Sequence, residues 1–138
     1  MVFETPGGGI YGPKAMLIDQ DAGSGGDFLP YAFKRMGLGP LIGKRTWGGL
    51  IGISTNPPLM DGGTMSVPFF RFFTPEKEWR IENEGVAPDI DVELDPTGVN
   101  RGRDTQLDAA IQSVMQRMSS DKTRAQRLEP PKPAALGK

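Results

Sequence analysis

An α/β fold, a mixed sheet with flanking helices, is what this chain predicts, and three observations predict it. An apolar run, Ala15-Met16-Leu17-Ile18, enters a glycine turn, Asp21-Ala22-Gly23-Ser24-Gly25-Gly26-Asp27, and an amphipathic stretch from Phe28 to Met36 leaves it. A second apolar run, Leu41-Ile42-Gly43, follows that helix. Further on, Thr64 to Phe73 and Trp79 to Asn83 read as an antiparallel pair across the loop Thr74-Pro75-Glu76-Lys77-Glu78.

Residues 1–13, with Gly7-Gly8-Gly9 and Gly12-Pro13, read as a loop, and Lys14 to Asp19 as a buried strand. The helix to about Met36 carries Phe28, Leu29, Ala32, Phe33 and Met36 on one side. Pro30 fits its first turn, where N–H groups are unbonded anyway, and Gly37 is suited to a left-handed stop. Leu41 to Gly43 forms a short strand running into the loop Lys44 to Gly49, whereas Leu50 to Pro58 carries only a weak pattern. Asp61-Gly62-Gly63 and Gly85 to Pro88 are turns. A last helix fits Asp104 to Met118, with Leu107, Ala110, Ile111, Val114 and Met118 along one face. After Ser119 the chain becomes polar and proline-rich, ending in Pro130-Pro131-Lys132-Pro133, the composition of a mobile tail. No internal repeat is evident.

At 138 residues the chain is long enough for one domain with a core, or for part of a larger one. Its hydrophobic fraction of 37% is low and its 19 glycines and 13 prolines are many, which favours turns and long loops. A net charge of -1 offers no electrostatic basis for binding nucleic acid or an anionic membrane. No apolar window approaches the ~18 residues of a membrane span, and no signal peptide is visible at the start. With no cysteine and no histidine, disulfides and thiolate chemistry are excluded, and a metal site would rest on carboxylates and carbonyls alone.

The glycine run supports several readings. Ser24 can cap the following helix while Asp27 complements the positive end of the helix dipole. Alternatively, the glycines let a substrate carbonyl approach, Ser24 attacks it, and the Gly25 N–H helps hold the oxyanion. An anion at the helix start is a third reading, although the run has neither the lysine-containing ending of a P-loop nor dinucleotide glycine spacing. Calcium is excluded there: Ser24 and Pro30 occupy the positions where an EF-hand loop needs glycine and glutamate. Elsewhere, Asp89, Asp91, Glu93 and Asp95 alternate with apolar residues and read as the solvated face of a strand, whose like charges weaken it unless water screens them. Glu82 taken alone is one of 17 acidic residues, in a solvated strand position by default. Trp47, Phe69, Phe70, Phe72, Phe73 and Trp79 suit a core or hairpin surface, or a substrate groove or interface where exposed.

Four runs in consistent order over roughly residues 10–118 resemble the catalytic core of tricorn-type serine peptidases, relatives of the C-terminal processing peptidases. They are the glycine run 21–27, Gly37 to Gly49, Glu82-Asn83-Glu84-Gly85-Val86-Ala87-Pro88-Asp89-Ile90, and Gly102-Arg103-Asp104-Thr105-Gln106-Leu107. The resemblance implies a partial crotonase/Clp-protease-like α/β core that cuts peptides by acyl transfer. It implies Ser24 as nucleophile, the Gly25 backbone N–H as oxyanion donor, and Glu82 as the acidic residue that orients a histidine through a second serine. The family often has aspartate after the nucleophile; here Gly25 stands there, and a backbone donor needs no side chain.

The family's histidine, its neighbouring serine and the second oxyanion donor lie upstream, before a PDZ-like domain and the first part of the core. Residues 1–118 are therefore expected to be the C-terminal portion of a catalytic core, and 119–138 a flexible tail. The expected partners are peptide substrates, the upstream core and the PDZ-like domain, with a homo-oligomer favoured by exposed sheet edge. No cofactor and no metal is implied. A cytoplasmic location is expected, with a periplasmic or exported one as the other option. Without a base Ser24 is a weak nucleophile, so these residues alone are expected to be inactive. Competing readings are a peptide-binding or assembly module without chemistry, and an anion site at Gly25-Gly26.

Overall fold

The computed structural model describes residues 12–55 and 58–120. Its centre is a parallel pair, β1 (Met16–Ile18) and β2 (Leu41–Gly43), in which Met16, Leu17 and Ile18 stand opposite Leu41, Ile42 and Gly43. A two-residue strand, β5 (Ile90–Asp91), extends β2 on its other side, again parallel, giving the order β1-β2-β5. A parallel connection needs a crossover, and helix α1 (Gly25–Arg35) supplies it between β1 and β2. A separate antiparallel hairpin joins β3 (Gly52–Thr55) to β4 (Ser66–Phe70). Helices α2 (Pro96–Asn100) and α3 (Thr105–Ser120) close the described chain, α1 packing on β1 and α3 on β1 and β2. The α/β class expected from the sequence holds, with the parallel and antiparallel strands in two sheets.

The central strand is fully enclosed: Leu41 and Ile42 are both without exposed surface. Burying each is worth about 1.5–3 kcal/mol. Ile18, Phe33, Leu41, Ile81 and Val86 form the core cluster, with Met16, Tyr31, Leu50 and Phe72 against it. Glycine is required where β2 ends. A Cβ on Gly43 would lie 2.0 Å from the carbonyl oxygen of Ile18, and its φ of +126° is unfavourable for any other residue.

Several expectations are corrected. The first strand is shorter than Lys14 to Asp19, and Leu17 on it is exposed. Helix α1 buries Asp27, Pro30 and Phe33, while Phe28, Leu29 and Met36 from the expected face lie in the open. On α3 the buried residues are Gln106 and Ala110, with Leu107, Ile111 and Met118 exposed. Strand β4 pairs with β3, in the segment whose pattern was weak, and Trp79 meets the expected partner only through an isolated bridge to Phe73. Among the six aromatics, Phe72 packs against the core, whereas Trp47, Phe69, Phe70, Phe73 and Trp79 are exposed. The expected N-terminal loop and proline-rich tail lie mainly outside the described residues. Among those described, no helix is long and apolar enough to cross a membrane.

The acidic run is not a simple strand face, because each carboxylate is paired. Asp89 accepts from Lys34 at 2.6 Å and from the Leu41 N–H at 2.9 Å. Burial pushes its carboxyl up, but the Leu41 N–H and the Lys34 ammonium outweigh that and leave it below the ordinary value. Lys44 bridges Asp91 at 2.7 Å and Glu93 at 3.0 Å, and Asp95 caps α2 by accepting the Thr97 N–H at 3.0 Å. Fixed cations thus relieve the like-charge repulsion.

Two outcomes follow from these contacts. Gly43→Ala is expected to lower stability by about 2 kcal/mol or more, and Gly37→Ala, with φ +64° but open space around it, by about 1 kcal/mol; urea unfolding midpoints measure both. Arg35 holds the Glu76 carboxyl through two hydrogen bonds of 2.6 and 3.1 Å, lowering it from 4.5 to about 2. Because the folded value is depressed, this stabilisation is complete above pH 4.5 and is lost as pH falls through about 2. Glu76→Gln should therefore lower the melting temperature slightly at neutral pH, where the pair is intact, and the two melting-temperature profiles should converge as pH falls through about 2.

Candidate active site

The turn between β1 and α1 is built by side chain and backbone together. Asp19 Oδ1 accepts the N–H groups of Asp21 and Ala22 at 3.0 and 2.9 Å, which folds the chain sharply as it leaves the strand. Gly23 then leads to Ser24, whose φ of 55° and ψ of -111° lie outside the regions an L-residue normally adopts. A non-glycine residue held at such a strand-to-helix elbow costs of order 1–3 kcal/mol and projects its side chain from the turn.

Ser24 is exposed and makes no side-chain cap hydrogen bond, so the capping reading of this residue does not hold. Its carbonyl serves the first helical turn instead, accepting from Asp27 at 3.0 Å and Phe28 at 2.9 Å. Gly26 N–H donates to the Gly23 carbonyl at 2.8 Å. The N–H of Gly25 has no acceptor among the described residues, and a Cβ at Gly25 would meet nothing within 4 Å. An exposed hydroxyl and an unengaged helix-start N–H therefore sit on adjacent residues beside open space.

Asp27 does not lie free at the helix start to complement the dipole. Its carboxylate is fully buried and accepts the N–H of Gly48 at 2.8 Å and of Gly49 at 2.9 Å. The segment Thr46 to Gly49 is bound on both sides. Trp47 N–H donates to Ala22 and Ser24 N–H to Gly49, at 2.9 and 3.0 Å. Thr46 exchanges backbone and hydroxyl bonds with Val86, and Asn83 N–H donates to the Gly48 carbonyl at 2.7 Å. The indole of Trp47 lies over Gly23 and Gly49, where an added Cβ would come within 2.5 Å of the ring.

Glu82 sits in the turn on the far side of that segment, not on a strand. Ile81, Asn83 and Gly85 all have positive φ, at 79°, 61° and 65°, and the N–H groups of Glu84 and Gly85 both return to the Ile81 carbonyl. Glu82 is half-buried, and its Oε2 is shut from solvent with no hydrogen-bond partner among the described residues. Leaving such an oxygen unmatched costs about 1–3 kcal/mol or more, and it suits a hydroxyl or N–H donor. Ser24 and Glu82 do not bond each other; the Gly48-Gly49 backbone separates and connects their turns. Pattern reading missed Asp27 as an internal acceptor, because the Gly48-Gly49 pair that it holds lies 21 residues further along the chain.

Residues 5–92 match Peptidase family S41. The Tricorn protease of Thermoplasma acidophilum is 37% identical over 113 residues, covering 82% of this chain and 11% of the relative. The Tricorn protease of Thermoplasma volcanium is 42% identical over 110 residues, covering 80% and 11%. A Putative Tricorn-like protease C-terminal subunit of Sulfurisphaera tokodaii is 44% identical over 102 residues, covering 74% and 12%. The crystal structure of the tricorn protease superposes with a TM-score of 0.76 at 36% identity, over 83% of this chain and 11% of that one. The chain thus spans about a tenth of the length of the tricorn relatives it matches.

Gly23→Ala tests the packing around the elbow. With Trp79 replaced by phenylalanine, emission from Trp47 should shift toward its solvent value as the ring is displaced, while stability falls by less than about 1 kcal/mol because the ring is already exposed.

Proposed function

This chain belongs to peptidase family S41, and on that premise we propose that it carries the nucleophile of a serine peptidase. The observation that carries the proposal is Ser24, held at an elbow with positive φ, its hydroxyl exposed and unused as a cap, next to the unengaged Gly25 N–H. Ser24 Oγ attacks the scissile carbonyl, its proton passing to a base, and the Gly25 N–H donates to the oxygen as it gains negative charge. Collapse releases the amine with a proton returned from the base, and water then hydrolyses the acyl-serine.

No histidine occurs among the 138 residues, so the base comes from outside them. In this reading Glu82 orients that histidine through a second serine, whose hydroxyl would occupy the unpaired Oε2. Residues 1–118 are then part of a catalytic core completed by an upstream portion, with a PDZ-like domain before it, and 119–138 a tail. The complete enzyme would be a cytoplasmic homo-oligomer that takes peptides, and these residues by themselves would be inactive. The non-catalytic peptide-binding reading draws on an open apolar hollow of about 400 Å3 between α1 and Phe72 to Pro75.

In the complete peptidase, a serine-reactive phosphonate should label Ser24, and Ser24→Ala should abolish turnover. Labelling elsewhere, or an unchanged rate in that variant, would sink the assignment. Absence of labelling alongside peptide binding would favour the non-catalytic module.

A further inference from the structure

We propose that Asp27 is a positioning residue: its buried carboxylate holds the Ser24 and Glu82 turns in one register through the backbone of Gly48 and Gly49. The inference rests on the catalytic reading of Ser24 and Glu82. Three hydrogen bonds close a ring: Gly49 N–H to Asp27 Oδ2, Ser24 N–H to the Gly49 carbonyl, and Asp27 N–H to the Ser24 carbonyl, at 2.9, 3.0 and 3.0 Å. A branch leaves this ring at Gly48, whose N–H donates to Asp27 Oδ1 and whose carbonyl accepts from Asn83, the neighbour of Glu82.

Only a carboxylate fits this place. Two consecutive N–H groups converge on one side chain and need two acceptors in a fork; an amide offers one acceptor and aims its NH2 at the other N–H. Ionisation strengthens both bonds. The segment cannot compensate by shifting, because a Cβ at Gly48 would lie 2.6 Å from the Gly85 nitrogen and the residue has φ +86°. Other buried polar side chains serve different segments: Thr46 holds Val86, Thr74 holds Glu78, and Gln106 holds Val92. Asp27 is the one among them bonded to the segment that Ser24 and Asn83 share. If its fork is broken, Gly49 is freed and the strained Ser24 backbone can relax. A displacement of about 1 Å at a reacting group costs on the order of 100-fold in rate.

The test uses the active peptidase that carries these residues. Asp27→Asn should lower kcat by about 10- to 100-fold with KM within about twofold, and slow phosphonate labelling of Ser24 in parallel. Gly37→Ala, remote from the ring, supplies a destabilised control that keeps its kcat. A kcat for Asp27→Asn no lower than that of the control overturns the proposal. Should Asp27→Asn fail to fold, amide hydrogen exchange of the unaltered protein decides: Ser24, Gly48, Gly49 and Asn83 should exchange within about threefold of one another as one opening unit. Exchange of Ser24 at least about tenfold faster than Gly49 overturns it. Ser24→Ala in the same assay keeps the two ideas apart: turnover retained there removes the nucleophile, whereas turnover lost there with Asp27→Asn unaffected removes only the role of Asp27.

Discussion

The buried carboxylate of Asp27 is the constraint on which the site's arrangement depends. Removing an anion from water costs several kcal/mol, and only full hydrogen bonding offsets it. Asp27 meets that demand with two backbone N–H groups from Gly48 and Gly49. The two glycines therefore have little freedom, since any excursion would strand a charge. Everything attached to them inherits the constraint: the Ser24 N–H on one side, the Asn83 N–H on the other, and the Trp47 ring above.

This rigidity explains how the chain sustains so many unfavourable conformations in a small volume. Ser24, Ile81 and Asn83 are non-glycine residues with positive φ, and Ile81 is β-branched and buried in the core cluster. Such strain persists only where surroundings over-determine it. Here Ile81 is fixed by core packing and by the two N–H groups returning to its carbonyl, and Asn83 by Gly48. At Gly85 the backbone approaches Thr46 so closely that a Cβ would lie 2.1 Å from its carbonyl oxygen. Glycine is there for proximity as much as for torsion.

Local rules served where the determinant is local. The strand, glycine turn and helix sequence was legible, as was Gly37, whose φ of +64° ends α1 in the left-handed region. Periodicity picked out Phe33 on α1 and Ala110 on α3 but not the rest of either buried face, because a helix face is apolar or buried for separate reasons. Pro30 and Asp27 are inside because of what lies opposite them, while Phe28 and Leu29 face outward. Strand β3 carries Gly52, where Phe70 covers the backbone so closely that no Cβ fits, and this disguised it as loop. The ten residues 56–65 separate it from β4, so the segment across the shorter Thr74 to Glu78 loop looked like the partner. Asp27 was misread because a first-turn aspartate is ordinarily a dipole partner, and only tertiary placement reveals its two N–H donors, Gly48 and Gly49.

Asp27 and Glu82 show how the same functional group takes opposite states within one network. The first is wholly buried yet fully matched from within the described residues; the second is half-buried and has no donor to Oε2 among them. A matched carboxylate rigidifies, and an unmatched one keeps its capacity to accept a new partner at no cost of breaking an old bond. Local sequence could not separate them, since both are single acidic residues beside turns; the family resemblance selected Glu82, and the hydrogen bonds selected Asp27. In the proposed enzyme the division is functional: one carboxylate sets the geometry so that the other, and the serine across the shared backbone, meet an incoming donor without rearrangement.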